Sequence, residues 1–167
     1  IHLEIDLKTT EGKKILLDLL ANADIVVENY APGTFQKLGV DFEKIRKDVN
    51  SGLITCSIPA FFSGDPRSSI PGFEGIAAMA GVSYEKPLGK PVYHDFPVGS
   101  VMAALYSASA IMAALIARHK TGLGQHIEVS LYGSNVFAQV LQALVLTGAP
   151  KSFMPLNMVE IGRASCR

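Results

Sequence analysis

The sequence predicts an α/β fold with a mostly parallel, Rossmann-like sheet and flanking helices. Three observations carry that prediction. Short β-branched runs, IVVE at 25–28 and LITCSI at 53–58, have the composition of buried strands. Stretches whose apolar residues follow a helical spacing fall between them, and strands that recur with helices between imply crossovers and hence a parallel sheet. Finally, 49% of the 167 residues are hydrophobic and 18% charged, and a chain of this size buries roughly 70% of its unfolded surface, which suffices for one sizeable core. One domain, or most of one, is expected.

Charge and composition exclude several classes. The 15 Lys and Arg balance the 15 Asp and Glu, which argues against an electrostatic nucleic-acid binder. The hydrophobic content argues against disorder, and 15 Gly with 9 Pro in no repeating period against a collagen-like chain. Only Cys56 and Cys166 occur and no signal-peptide pattern opens the chain. A disulfide framework is thereby excluded and a cytoplasmic, reducing environment is expected.

The elements follow in order. In residues 1–7, Ile1, Leu3, Ile5 and Leu7 alternate with His2, Glu4 and Asp6, the period of a strand in mid-domain. With no initiating Met, the true start of the domain is expected upstream. Ile15, Leu16, Leu19, Leu20 and Ala23 place one apolar face on a helix ending near Asn22. The strand at 25–28 runs into the turn Asn29, Tyr30, Ala31, Pro32, Gly33, and a short helix through Phe35 and Leu38 stops at Gly39. Asp41 is the expected N-cap of a helix carrying Phe42, Ile45 and Val49, which leads to the strand at 53–58.

Residues 59–71 form a turn-rich loop at the carboxyl end of that strand, where open α/β sheets bind ligands. Phe61 and Phe62 stand where they would line that ligand site, but without a partner residue they read rather as anchors of this loop. A short helix is expected at 72–81. Residues 98–117 carry no charge and are long enough to span a membrane. Richness in Ala and Ser instead favours a helix packed closely on its neighbours through Ala103, Ser107, Ala110 and Ala114, with no membrane contact expected. Ser100 is its expected N-cap, Arg118, His119 and Lys120 complement its negative end, and Gly122 stops it. A strand at 126–131 follows, then a helix carrying Val136, Phe137, Val140, Leu141 and Leu144 and ending at Gly148. Residues 160–167 show neither period and read as a non-native tail, leaving 1–159 as one incomplete large domain.

Common chemical motifs are missing. The Gly122-Leu-Gly124 turn lacks a third glycine and precedes a strand, so it is no dinucleotide fingerprint. No Walker loop, nucleophile elbow or zinc spacing occurs; His94, His119 and His126 are irregularly placed and read as surface or capping residues, so no metal site is expected.

Three blocks carry a resemblance: LEIDLKTTEGKKILLDLL, ADIVVENYAPGTFQKLG and AALIARHKTGLGQHIEVSL. In their order and spacing they closely resemble the family III CoA-transferases, also called the CaiB/BaiF family, from residue 1 to about 150. The resemblance implies a large Rossmann-like domain and a small one, two subunits interlocked as rings or a tandem partner domain, and CoA or acyl-CoA as substrate with a carboxylic acid. No tightly bound cofactor is implied. Carried over by position, Ile5, Asp6, Leu7 and Lys8 meet CoA at the first strand end, Asn29, Tyr30 and Ala31 at the next turn, and Leu38 flanks it. Lys37 stands where the family commonly has an arginine facing the phosphates; it supplies a point charge without a bidentate fork. Taken alone, Lys8 and Lys37 read as solvated lysines and Tyr30 as a half-buried loop aromatic.

The resemblance breaks at the nucleophile. Family members end a P-[IV]-G-D motif in the aspartate that attacks the thioester; here the motif reads Pro97-Val98-Gly99-Ser100. The aspartate's carbonyl receives CoA, and a serine hydroxyl has none. Asp95, five residues upstream, reaches the site only if the loop folds back. Phe73 replaces a pocket tyrosine, and Ala60 and Phe62 replace glycines of a flexible loop. The leading expectation is a catalytically degenerate acyl-CoA-binding domain acting as the scaffold half of a tandem or dimeric enzyme. The alternatives are an acyl-CoA racemase relative using Asp95 or His94 on the α-proton, and a Rossmann-type binding module without catalysis.

Overall fold

The structure is a computed structural model that describes residues 2–80, 84–85, 92–93 and 96–138. Its first element is helix α1, Thr10–Asn22. Thr9 caps it, the Thr9 hydroxyl accepting the Gly12 amide at 3.0 Å while donating to the Asp6 carbonyl at 2.8 Å. Leu20 is buried and Leu16 half-buried, but Ile15 and Leu19 are exposed. Only part of the predicted apolar face is therefore covered.

Strand β1, Ile25–Glu28, is followed by α2, Thr34–Lys37, and α3, Phe42–Asp48. Gly33 and Gly39 bracket α2 at φ of 78° and 79°, a left-handed backbone that favours glycine and fixes both corners of this turn. As expected, Asp41 caps α3, its carboxylate accepting the Glu43 and Lys44 amides. Strand β2, Ile54–Ser57, lies parallel to β1 with Ile25 opposite Ile54. Helix α4, Glu74–Ala80, and the two-residue antiparallel strands β3, Tyr84–Glu85, and β4, Val92–Tyr93, precede the long helix α5, Val98–Thr121. Strand β5, His126–Glu128, closes the parallel sheet in the order β1-β2-β5, and α6, Leu131–Ala138, follows. The rest of the predicted last helix lies outside the described residues.

Leu20, Val40, Ile45 and Leu53 form the core on one face of the sheet, with Val26, Phe35 and Phe42 packed around them. Asn50 ties α1 to this layer by donating to the Leu20 and Ala23 carbonyls at 3.0 and 2.9 Å. On the other face α5 contacts β2, β5, α4 and α6. Gly99, Ala103, Ser107 and Ala114 are its buried positions, the small-residue stripe that close approach requires. Its opposite face is bare: Met112 is 64% exposed, and Leu105 and Ile116 are exposed too. Helix α5 is thus packed on one side only, and by length and composition it is the one described helix that could cross a membrane.

Two expectations are corrected. Residues 2–6 form no strand. A strand needs a neighbour, and the Asp6 backbone and carboxylate instead bond the Thr9 amide at 3.2 Å and the Lys8 amide at 2.9 Å, turning the chain into α1. Ser100 is not the N-cap of α5, because Pro97 holds that position and Ser100 is the third helical residue. A carboxylate from α4 satisfies the free amides there, so a serine cap is not required.

Candidate active site

A cavity of about 590 Å³ opens at the carboxyl ends of β1, β2 and β5, lined there by Glu28, Ser57 and Glu128. Its second wall is the turn and short helix at 30–37, and its third is the loop at 59–71, which contributes Phe61, Ser63, Ser68 and Ser69. The second wall is held by its own bonds. Tyr30 bonds the Glu28 carboxylate through its amide at 2.8 Å, and the Thr34 hydroxyl donates to the Ala31 carbonyl at 2.6 Å. The Tyr30 ring meets Phe35 edge-on with centroids 5.3 Å apart, and Phe35 packs on Phe42 at 4.8 Å. The turn is thereby anchored to the core.

The loop wall has its own clasp. Asp65 is buried and its carboxylate accepts the Arg67 amide at 2.8 Å, Nε at 2.8 Å and Nη2 at 2.7 Å. The Arg67 guanidinium sits between the rings of Phe61 and Tyr132, 4.5 and 4.4 Å from their centroids. These bonds from Arg67 hold the Asp65 carboxyl down at about 2 and raise the guanidinium further. Phe61 is the loop anchor the sequence indicated; Phe62 is exposed instead.

On the sheet itself, His126 lines the cavity between two hydroxyls. Thr55 Oγ1 lies 3.0 Å from its Nδ1 and Ser57 Oγ lies 3.3 Å from its Nε2. Arg46 donates to Thr55 at 2.8 Å. The sequence reads this histidine as a surface or capping residue, and it is exposed, on the side of the sheet that opens to the cavity. The signal was the strand alternation, since the register pairs Thr55 with His126 and Ser57 with Glu128.

Of the residues assigned from sequence, Tyr30, Ala31 and Lys37 line the cavity. Ile5, Asp6, Leu7 and Lys8 form the turn before α1, and Asn29 and Leu38 flank the cavity-lining segment without lining it. Phe73 is 68% exposed just before α4. Asp95 and His94 lie outside the described residues.

A second cluster forms where α4 meets α5. The Glu74 carboxylate accepts the Gly99 amide through Oε1 at 2.9 Å, and the Ser100 amide and hydroxyl through Oε2 at 2.6 Å each. No sequence signal pointed to Glu74, because 26 residues separate it from Ser100 and only tertiary packing joins them. The cluster does not line the cavity, yet it adjoins a cavity wall. A Cβ on Gly99 would lie 3.2 Å from the Leu131 carbonyl, and the Leu131 amide bonds Pro59, a cavity residue, at 2.9 Å.

Residues 2–156 match the family model of CoA-transferase family III. The chain belongs to that family. It is similar to the succinate–glutarate CoA-transferase of Agrobacterium fabrum, 34% identical over 151 residues that cover 87% of this chain and 37% of that protein. Among solved structures it resembles the hypothetical protein Rv3272 of Mycobacterium tuberculosis, with 31% identity, a TM-score of 0.78 and coverage of 88% of this chain and 42% of that one. A CaiB/BaiF family protein from Brucella suis gives 32% identity and a TM-score of 0.76, covering 88% of this chain and 40% of that one. The family III chain described here therefore spans about two fifths of the length of these relatives.

Proposed function

We propose that this chain is the acyl-CoA-binding part of an enzyme that moves CoA from an acyl-CoA to a carboxylic acid, and that Ser100 does not carry the CoA. Family membership supports the reaction class. The observation that carries the second half is the setting of Ser100. Its side chain is a hydroxyl already donating to Glu74 at 2.6 Å, and a hydroxyl offers no carbonyl carbon to which a thiolate can add. At this position the domain is degenerate, and a carboxylate must come from elsewhere. It comes either from a partner domain, for which this chain is the scaffold half of a tandem or interlocked dimer, or from another residue of this chain.

CoA itself belongs in the cavity at the strand ends, where Lys37 and the turn around Tyr30 face it and where open sheets of this kind take their ligands. In the full-length protein, CoA is expected to raise the melting temperature, because a ligand that binds only the native state stabilises it. Transfer of CoA from acyl-CoA to a free acid is expected to survive Ser100→Ala in reduced form. Complete loss of transfer in that variant, with CoA still binding, would assign the covalent step to Ser100 and contradict the proposal.

A further inference from the structure

We infer that Ser57 and Glu28 select the adenine base of CoA, and that a hydrogen-bond chain starting at Arg46 sets the direction of the Ser57 hydroxyl. The inference rests on the reading above that the cavity takes CoA, and it names the part of that molecule that meets the sheet and the residues that choose it.

The direction of the chain follows from what each group can give. Arg46 Nη1 donates to Thr55 Oγ1 at 2.8 Å, and a guanidinium has no acceptor to offer in return. Thr55 is 2% exposed, so its own proton finds no water and goes to the ring nitrogen 3.0 Å away, Nδ1 of His126. The neutral imidazole then carries its proton on Nε2 and donates it to Ser57 Oγ at 3.3 Å. Ser57 thus receives a hydrogen bond from the ring and keeps its own O–H for the cavity it lines. A chain that begins at a charged donor polarises each hydroxyl along it. The same order of donors excludes Ser57 as a nucleophile activated by His126, because the ring nitrogen that faces it is already protonated.

The neighbours of Ser57 decide what that hydroxyl meets. The sheet register sets Glu28, Ser57 and Glu128 in one row, on strands about 4.8 Å apart, and all three line the cavity. Two carboxylates flanking one hydroxyl repel a phosphate, which leaves the phosphates to Lys37 on the neighbouring wall. The row instead fits a neutral group that offers an acceptor beside a donor. The Watson–Crick edge of adenine is such a group, with N1 accepting beside an N6 amino group that donates. Ser57 donates to N1, and Glu28 accepts from N6. Glu28 is the better placed of the two carboxylates, because its Oε2 is fixed by the Tyr30 amide at 2.8 Å. Tyr30 itself presents an exposed aromatic ring in the same cavity, a surface on which a flat base stacks.

The experiment titrates CoA, adenosine 3′,5′-bisphosphate, inosine 3′,5′-bisphosphate and pantetheine into the full-length protein by calorimetry. In inosine the same edge is reversed, N1 donating and the oxygen beside it accepting, while the phosphates stay. Expected is a preference for the adenosine compound of about ten- to a hundredfold. Ser57→Ala is expected to cut that preference by about three- to tenfold and Ser57→Thr, which keeps the hydroxyl, to retain it. His126→Phe, a change at an exposed position, breaks the chain and is expected to lower the preference as well; it decides the matter if Ser57→Ala fails to fold. A scaffold role alone would weaken both nucleotides alike and leave their ratio unmoved. In a protein that binds CoA, equal binding of the two nucleotides, a preference that either folded variant leaves unchanged, or binding of pantetheine and of neither nucleotide would overturn the inference alone. A wild-type protein that does not bind CoA would overturn the CoA reading with it.

Discussion

Replacing Glu74 by Ala is expected to destabilise the protein by about 3 kcal/mol. The carboxylate accepts three hydrogen bonds from the first turn of α5. Gly99 is buried, so its amide cannot turn to water and is left unsatisfied, at about 1–3 kcal/mol. The Ser100 amide and hydroxyl are half-buried and recover part of their bonding from water, so their loss resembles removal of an N-cap, about 1 kcal/mol. Loss of a negative charge at the positive end of the helix dipole adds a few tenths. Glu74→Gln keeps an acceptor oxygen but not the charge, so about half the cost is expected. Urea unfolding of the full-length proteins measures both. A Glu74→Ala variant within about 0.5 kcal/mol of wild type, the range of ordinary surface substitutions, would show that α4 does not hold the start of α5 in solution.

Three other outcomes are expected. The folded-state carboxyl of Asp65 lies at about 2, below its unfolded value of about 3.9. Its contribution to stability is therefore complete above about pH 4 and is lost as pH falls toward 2, and Asp65→Asn should flatten unfolding midpoints across that window. Cys56 is 0% exposed, and burial chiefly raises its thiol, partly offset by Ser107. It should react with a thiol reagent only on unfolding, and its contribution to stability should decline as pH rises past about 8.5, where the unfolded thiol ionises. Lys37→Arg should tighten CoA binding by up to about tenfold in calorimetry, because a planar fork pairs two phosphate oxygens where an ammonium pairs one; unchanged or weaker binding would place the phosphates away from Lys37.

Elements whose causes are local were legible in the sequence. The β-branched run at 25–28 gave β1, the Asp41 cap placed the start of α3, and Gly33, Gly39 and Gly122 punctuate the chain at positive φ. What failed depended on partners distant in sequence. Alternation at residues 1–7 predicted a strand, but alternation describes side chains and not a neighbour to pair with, and Asp6 bonds forward into α1 instead. Ser100 has the chemistry of an N-cap, yet the carboxylate from α4 already satisfies the helix start. His126 is exposed as the sequence indicates, but its two hydroxyl partners on β2 follow from the strand pairing and not from its own neighbours in sequence. The cavity's turn at 30–37 was readable from its own residues; the Glu74–Ser100 cluster was not, because nothing between residues 74 and 100 announces that they meet.

Whether the cavity at the ends of β1, β2 and β5 takes CoA is decided by calorimetric titration of CoA into the full-length protein. Expected is one site whose affinity falls when Lys37 becomes Glu or when Tyr30 becomes Ala, with the fold intact. Heats indistinguishable from dilution, or binding that neither substitution alters, would contradict it.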